Sequence, residues 1–183
     1  LSIRRQRQDV YKRQPQEVKD IIKQIEAAGF EAFAVGGCVR DCILGRTPQD
    51  WDITTSALPS QIKEIFARTI DTGIQHGTVT VMIGKTGYEI TTYRIDGEYK
   101  DCRHPENVEF SSDLKDDLKR RDFTINAMAY NDSTGLVDEF DGINDLNKGI
   151  IRCVGDAKER FTEDALRMMR AIRFSCLLYT SDA

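Results

Sequence analysis

The sequence predicts an α+β fold, because segments typical of short strands and segments with the periodicity of amphipathic helices occur together along the chain. Residues 31–35 are apolar except for Glu31 and are followed at once by two glycines, as expected for a short buried strand. Residues 78–93 contain two strand-like runs around a Gly-Lys-Thr-Gly turn, which predicts a β-hairpin. Residues 16–28 place four aliphatic side chains on one side of a predicted packing helix.

The segment that follows the hairpin differs from these elements in composition. From Ile95 to Asp113 it is polar and contains glycine and proline, which predicts a long loop. Long loops in compact domains are usually functional or disordered. The other predicted elements are helices over 39–44, 59–67 and 113–121, a strand over 50–54, and a capped turn or short helix over 141–147.

A strand, two glycines and a helix follow one another around Gly36 and Gly37. This order presents backbone N–H groups at a helix N-terminus with no side chain to block an approaching anion. Arg40 can add charge-assisted hydrogen bonds to a phosphate. Many glycine turns only reverse the chain, so phosphate binding and a plain turn both stay open at this point.

Two carboxylates follow ten residues later, at Asp50 and Asp52. Side chains alternate along a strand, so these two share one face with Thr54. Neighbouring carboxylates repel unless a cation or a proton lies between them. Magnesium prefers one or two carboxylates together with substrate phosphates, which makes this pair a candidate metal site. The alternative is a charged, solvent-exposed strand edge without a ligand.

A third carboxylate is available at Glu89, in the second strand of the predicted hairpin. It could complete the metal site if this strand lies beside the one that carries Asp52. A solvent-facing glutamate explains the same residue equally well, so both alternatives stay open.

The order of several motifs is more specific than any one of them. Over about residues 18–174 the chain resembles the N-terminal part of the class II tRNA nucleotidyltransferases, the family of CCA-adding enzymes and poly(A) polymerases within the DNA polymerase beta superfamily. The motifs that carry this resemblance are Gly-Gly-x-x-Arg-Asp at 36–41, Asp-x-Asp at 50–52, Gly-x-x-His-Gly-Thr-Val at 73–79, Arg-Arg-Asp-Phe-Thr-Ile-Asn-Ala-Met at 120–128, Asp-Gly-x-x-Asp-Leu at 141–146 and Arg-Phe-x-Glu-Asp-x-x-Arg at 160–167.

The resemblance implies a mixed-sheet nucleotidyltransferase head over 15–150, followed at 151–175 by the start of an all-α neck domain. It implies that Asp50 and Asp52 bind catalytic Mg²⁺ and that Arg121 contacts the triphosphate. Asp164 and Arg167 would form a protein template for the base. The remaining nucleotide-binding candidates are Gly36, Gly37, Arg40, Asp41, Arg170 and Arg173, of which Gly37 and Arg40 are expected to contact the incoming nucleotide.

Helical geometry is compatible with the template. Thr162 is a candidate N-cap for a helix through Phe174. At about 100° per residue, one arc of this helix is apolar, and Asp164, Arg167 and Arg170 lie on the other. An aspartate and an arginine together can meet the hydrogen-bonding edge of cytosine or of adenine. An amphipathic helix whose polar face meets only water is the alternative. The apolar arc consists of Ala165, Leu166, Met168, Met169 and Ile172.

The resemblance implies template-independent, Mg²⁺-dependent transfer of CMP and AMP from CTP and ATP to the 3′ end of tRNA. A poly(A) polymerase or an enzyme that adds only A is the nearest alternative. An inactive module that binds nucleotide or RNA is the alternative from another class. Without the rest of the neck and the parts that hold tRNA in this family, residues 15–175 are expected to turn over poorly or not at all.

The two ends look unlike the rest of the chain. Residues 9–14 and 176–181 can be encoded by one DNA element read in opposite orientations, resembling a translated sequencing adapter, so 1–14 and 176–183 are predicted to be non-native. A genuine basic arm at the N-terminus is the alternative. The net charge of −4 argues neither for nor against RNA binding. The five cysteines show no metal-ligand spacing, and no signal peptide or membrane span is recognisable, which predicts a cytoplasmic protein.

Overall fold

A computed structural model describes residues 3–97 and 108–179, and it has the predicted α+β architecture with a mixed sheet. The helices are α1 Ile3–Arg13, α2 Gln16–Ala27, α3 Gly37–Ile43, α4 Pro59–Ile65, α5 Leu114–Lys119, α6 Gly142–Lys148, α7 Ala157–Glu163 and α8 Leu166–Tyr179. The strands are β1 Ala32–Val35, β2 Ile53–Thr55, β3 Thr69–Gly73, β4 Thr78–Ile83, β5 Thr86–Thr92, β6 Arg94–Asp96, β7 Val108–Phe110, β8 Met128–Asn131 and β9 Gly135–Asp138.

Seven of these strands form one sheet in the order β3-β4-β5-β2-β1-β8-β9. Strands β2 and β5 are parallel, and the other neighbours in the sheet are antiparallel. The predicted hairpin is present as β4 and β5, with a shorter turn than the sequence suggested because Thr86 already pairs with Ile83. The short central strands β1 and β2 therefore have both edges covered.

Apolar side chains cover both faces of the sheet. One cluster joins α2, α3 and α4 to the face that carries Ile53 and Ile90. A smaller cluster on the other face joins Val35 and Tyr93 to Leu118 of α5. The central strands are thus packed against apolar side chains on both faces. This packing fixes the position of the segments that leave the strands.

Two predictions of local structure in the strand-forming part of the chain differ from the structure. The segment predicted as a loop from Ile95 to Asp113 begins and ends in strands, because β6 and β7 pair antiparallel with Asp96 opposite Val108. Residues 98–107, including His104, lie outside the described residues. The predicted strand over 50–54 begins only at Ile53, so Asp50 and Asp52 lie in the extended segment that leads into β2.

Candidate active site

A cleft of about 650 Å³ opens between the central strands and helix α8. The candidate residues from the sequence converge on it: except for Asp41 and Glu89, all of them line this cleft. They arrive from four separate places, namely the β1–α3 turn, the segment before β2, the segment after α5, and the start of α8. Residues more than a hundred positions apart in sequence therefore face one cavity.

The glycine turn lies at one end of the cleft. Gly36 has φ of +81°, a left-handed conformation that side chains rarely adopt. A Cβ atom at this position would also lie 3.1 Å from Nη1 of Arg121. Arg40 is buried beside the turn, where its Nε donates to Oδ1 of Asp41 at 2.9 Å and its Nη1 donates to Oδ1 of Asn126 at 2.6 Å. The sequence therefore needs glycine here for conformation and for the approach of Arg121.

The two carboxylates of the Asp-x-Asp motif lie opposite this turn. The backbone carbonyl of Asp52 accepts from the N–H of Val35 at 3.0 Å, which fixes the segment against β1. Among the described residues, neither Asp50 nor Asp52 has a hydrogen-bonded or ion-paired side-chain partner. Partial burial in the concave cleft raises the pKa of Asp52, Arg121 opposes this increase, and the charge of Asp50 adds to it. The pair is thus an accessible site of negative potential suited to a cation.

Glu89 does not line the cleft but lies in β5, beside the segment that carries Asp52. Strands β2 and β5 pair Ile53 with Ile90, so Asp52 and Glu89 precede corresponding residues of neighbouring parallel strands. Glu89 lines an adjoining cavity of about 520 Å³ together with both aspartates. Among residues 3–97 and 108–179, no group of three His, Cys, Asp or Glu side chains is arranged to hold one metal ion.

Arg121 reaches the cleft from the segment after α5. Its Nη2 donates to Oδ2 of the buried Asp117 at 3.1 Å, whereas its Nε is buried and has no hydrogen-bond partner among the described residues. Arg120 forms two hydrogen bonds with Oδ1 of the same aspartate, at 2.9 and 2.7 Å. A carboxylate inside the protein thus anchors two consecutive arginines at the edge of the cleft.

The C-terminal helices place the other cations. Helix α7 includes Thr162, so the prediction of an N-cap there is wrong: its hydroxyl donates to the carbonyl of Lys158 within the helix. Asp164 connects the two helices, and its Oδ1 accepts from the N–H of Leu166 at the start of α8. Two helices separated by this capped turn replace the one predicted helix.

The arginines of helix α8 line the cleft. Arg167 is buried and pairs with Glu163 at 2.8 Å. Arg170 pairs with Asp122 at 2.6 Å. Arg173 lines the cleft but is exposed and has no ion-pair partner among the described residues. Of the predicted polar arc, Arg167 and Arg170 line the cleft from α8, whereas Asp164 lies before this helix. Leu166, predicted on the apolar arc, also lines the cleft, and the exposed Met168, Met169 and Ile172 are not among its lining residues.

Several residues of the site had no role assigned from sequence. Asp122 and Asn126 lie within the Arg-Arg-Asp-Phe-Thr-Ile-Asn motif, and Nδ2 of Asn126 donates to Oδ1 of Asp122 at 3.2 Å. Phe174 packs between the guanidinium groups of Arg40 and Arg170, at 5.1 and 5.5 Å from its ring centre. The density of polar residues in the motif was the available signal for the first two, whereas the sequence indicated Phe174 only as the end of a predicted helix.

The family model of the poly A polymerase head domain matches residues 32–152, which contain the glycine turn, both aspartates and Arg121. The chain belongs to the poly A polymerase head domain family. Nucleotidyltransferases of this family generally use a divalent metal ion, which agrees with the accessible carboxylate pair.

Curated relatives of this family member are named CCA-adding enzymes. The relative from Leuconostoc mesenteroides is 57% identical over 167 residues, which are 90% of this chain and 42% of the relative. The relative from Lactiplantibacillus plantarum is 56% identical over 163 residues, which are 89% of this chain and 40% of the relative. The chain therefore spans about two fifths of the length of the curated relatives it matches.

Solved structures give the same family likeness. The Bacillus stearothermophilus CCA-adding enzyme in complex with CTP superposes with a TM-score of 0.79 at 48% identity, covering 87% of this chain and 38% of that one. The Thermotoga maritima CCA-adding enzyme complexed with tRNA superposes with a TM-score of 0.72 at 28% identity, covering 91% and 39%. Within the described part of the chain, no helix has the length and apolar character needed to cross a membrane.

Proposed function

We propose that this chain is the N-terminal part of a cytoplasmic CCA-adding enzyme, which transfers CMP and AMP from CTP and ATP to the 3′ end of tRNA without a nucleic-acid template. The observation that carries the proposal is the agreement between the relatives' name, at 56–57% identity, and a cleft that joins an anion-binding turn, two carboxylates and several arginines. Neither the turn nor the carboxylates alone distinguish this reaction from simple phosphate or metal binding.

The proposed reaction is nucleophilic substitution at the α-phosphorus of the nucleotide. The 3′ oxygen of the RNA forms a bond to this phosphorus and loses its proton, and the bond to the β-phosphate oxygen breaks to release pyrophosphate. The backbone N–H groups after Gly36 would hold the triphosphate, and Arg121 would neutralise part of its charge. Arg40 would stiffen the turn through Asp41 and Asn126.

Asp50 and Asp52 are the proposed ligands of Mg²⁺. Two neighbouring carboxylates that have no side-chain partners within the described part of the chain, in a cleft of about 650 Å³, match the hard oxygen ligands that this ion prefers. When bound, magnesium supplies charge stabilisation for the attacking oxygen and for the leaving pyrophosphate. Glu89 is proposed as a third carboxylate on the strength of its position beside Asp52 in the sheet.

Asp164 and Arg167 are proposed to recognise the base. Asp164 is fixed by its hydrogen bond to the N–H of Leu166, and Arg167 is fixed by Glu163. Side chains that are already held need little reordering when a base arrives, which favours selective hydrogen bonding. Arg170 and Arg173 extend the positive charge along the same side of the cleft.

We propose that residues 15–150 are the nucleotidyltransferase head and 151–175 the start of a helical neck, with non-native sequence at 1–14 and 176–183. The non-native segments are proposed because residues 9–14 and 176–181 can be encoded by one DNA element read in opposite orientations.

The experiment that tests the proposal uses a full-length form in which residues 15–175 continue to the length of the curated relatives. Transcripts of tRNA that end before CCA, after C and after CC are incubated with CTP and ATP, separately and together. Stepwise completion to CCA followed by a halt is expected. Extension of only the CC-ended transcript would indicate an A-adding enzyme, and long A tails on any RNA would indicate a poly(A) polymerase.

The same assay tests the remaining alternatives. No incorporation by the full-length form would contradict catalysis and favour an inactive nucleotide- or RNA-binding module. Residues 15–175 alone are expected to bind nucleotide weakly and to turn over poorly or not at all, because the relatives have more than half of their length beyond the matched region. Robust CCA addition by residues 15–175 would contradict that expectation.

A further inference from the structure

Asp117 is a completely buried carboxylate that lies behind the cleft and does not line it. It belongs to α5, in which the other buried side chain is the apolar one of Leu118. A buried carboxylate is costly unless its oxygens are satisfied, so its partners explain why it is tolerated at this position.

The partners of Asp117 come from two sides. Its Oδ1 accepts two hydrogen bonds from Arg120, and its Oδ2 accepts one from Nη2 of Arg121 at 3.1 Å. The hydroxyl of Thr54 lies 3.1 Å from the same Oδ2 and 3.2 Å from the carbonyl oxygen of Thr91. Although burial opposes ionisation, the two guanidinium groups hold the pKa of Asp117 below its ordinary value, so it is an anion at neutral pH.

These partners connect Asp117 to both halves of the reaction site. Thr54 lies in β2, two residues after Asp52, and it is also buried. Arg121 reaches the glycine turn so closely that a Cβ atom on Gly36 would lie 3.1 Å from its Nη1. One buried carboxylate therefore contacts the strand that directly follows a proposed metal ligand, and also the arginine that faces the proposed triphosphate site.

The way in which Asp117 holds the two arginines is unequal. Arg120 donates hydrogen bonds to Asp117 from Nε and from Nη2, whereas Arg121 donates to it from Nη2 alone. The Nη1 side of Arg121 is thereby left toward the glycine turn. A single buried anchor fixes the direction of a guanidinium while leaving donors for an anion.

We propose that Asp117 is a positioning residue, which aims Arg121 at the triphosphate of the bound nucleotide and fixes it relative to Asp52 through Thr54. This inference rests on the proposed function, since it needs a nucleoside triphosphate in the cleft. It assigns Asp117 no contact with the nucleotide. Its effect should therefore depend on the phosphates of the ligand and on the presence of Arg121.

The test measures dissociation constants of CTP and CMP for the full-length form in the presence of Mg²⁺. Asp117→Asn is expected to weaken CTP binding about tenfold, comparable to the loss of one charge-assisted hydrogen bond, and to leave CMP binding unchanged. Asp116→Asn is the matched control, because it removes the same charge from the neighbouring residue of α5, which contacts Ser111 at 2.7 Å. The control should change neither constant by more than about twofold.

A double-mutant cycle separates positioning from a structural role. Asp117→Asn added to Arg121→Ala should weaken CTP binding no further than Arg121→Ala alone. Equal losses for CTP and CMP, or additive losses in the cycle, would overturn the proposal. Should Asp117→Asn not fold, Thr54→Val removes one partner of the same oxygen, and a two- to fourfold loss for CTP alone is expected. A wild-type protein that binds no CTP would instead overturn the proposed function itself.

Discussion

The two sides of the cleft differ in how their charges are held. On one side, Asp50 and Asp52 have no side-chain partners among the described residues. On the other side, four of the arginines each pair with a carboxylate at 2.6–3.1 Å, namely Arg40 with Asp41, Arg121 with Asp117, Arg167 with Glu163, and Arg170 with Asp122. The four arginines are held in place by their carboxylates before any ligand binds, whereas Asp50 and Asp52 repel each other.

This difference has a physical logic. Long arginine side chains lose conformational freedom when they bind a ligand, and a carboxylate that already holds them reduces that cost. An aspartate side chain is much shorter than an arginine side chain and loses less conformational freedom when it binds a ligand, so such support matters less for Asp50 and Asp52. Their mutual repulsion is relieved only when a cation or a proton is bound.

The largest expected effect comes from removing one of the two aspartates. In the full-length form, Asp52→Ala should lower the rate of CMP incorporation into tRNA roughly a thousandfold, because a metal ligand contributes several kcal/mol of charge stabilisation. Magnesium-dependent CTP binding should also be lost. Asp71→Ala serves as the control, since this exposed aspartate pairs with Lys63 at the surface. Incorporation by Asp52→Ala within tenfold of the wild type would remove Asp52 from the proposed catalytic pair.

Glu89→Ala addresses the remaining carboxylate in the same assay. A loss similar to that of Asp52→Ala would support Glu89 as a third metal-site residue, because the two precede paired residues of β2 and β5. An unchanged rate would assign Glu89 to the solvent-facing surface of its strand.

The next largest effect concerns the side of the cleft on which arginines pair with carboxylates. Asp122→Ala should lower the free energy of unfolding by about 2 kcal/mol, because the carboxylate accepts hydrogen bonds from the Phe123 N–H, from Asn126 and from Arg170. Asp71→Ala should cost less than about 1 kcal/mol, as is typical of an exposed pair. Chemical denaturation of both variants measures the difference, and equal losses would show that the pairs on the cleft are no more than surface ion pairs.

A smaller effect follows from the raised pKa of Asp52. A carboxyl group whose pKa is higher in the folded state stabilises the fold when protonated, and this contribution is lost as the pH rises through the folded-state value. Asp52→Asn should therefore melt at a higher temperature than the wild type at pH 7 without metal. The difference should shrink toward pH 4.

Two comparisons make this melting experiment specific. Glu64→Gln removes an equal charge from the exposed surface of α4 and should not raise the melting temperature. Magnesium should stabilise the wild type more than Asp52→Asn. A lower melting temperature for Asp52→Asn at neutral pH would contradict the repulsion inferred at the cleft.

The smallest effect is expected at Met169, on the exposed side of α8. Met169 is 66% exposed, whereas Phe174 on the same helix is 8% exposed and packs edge-on against Phe123 at 5.7 Å between ring centres. Met169→Ala should change the free energy of unfolding by less than about 0.5 kcal/mol, and Phe174→Ala should lower it by about 3 kcal/mol. Similar values for both would mean that the packing of Phe174 against Phe123 does not hold α8 in place.

Local patterns predicted much of what the structure contains. The strand before Gly36, the hairpin over 78–93 and the helix over 16–28 were predictable because hydrophobic spacing and glycine punctuation act over a few residues. The pairing of β6 with β7 was missed because each is only three residues long and is stabilised by its partner strand. The division at Asp164 was missed because Thr162 and Asp164 are both plausible N-caps in sequence.

The sequence by itself determined which chemical groups this protein possesses and the order in which they occur, since glycine turns, carboxylate spacing and arginine motifs are local properties. Only the tertiary structure decided which carboxylate holds which arginine. Asp117 and Arg121 are neighbours on one helical turn, but Thr54 comes from a strand 63 residues earlier, and Arg170 meets Asp122 across 48 residues. Such pairings depend on how the sheet and helices pack, and no pattern within a short window of sequence encodes them.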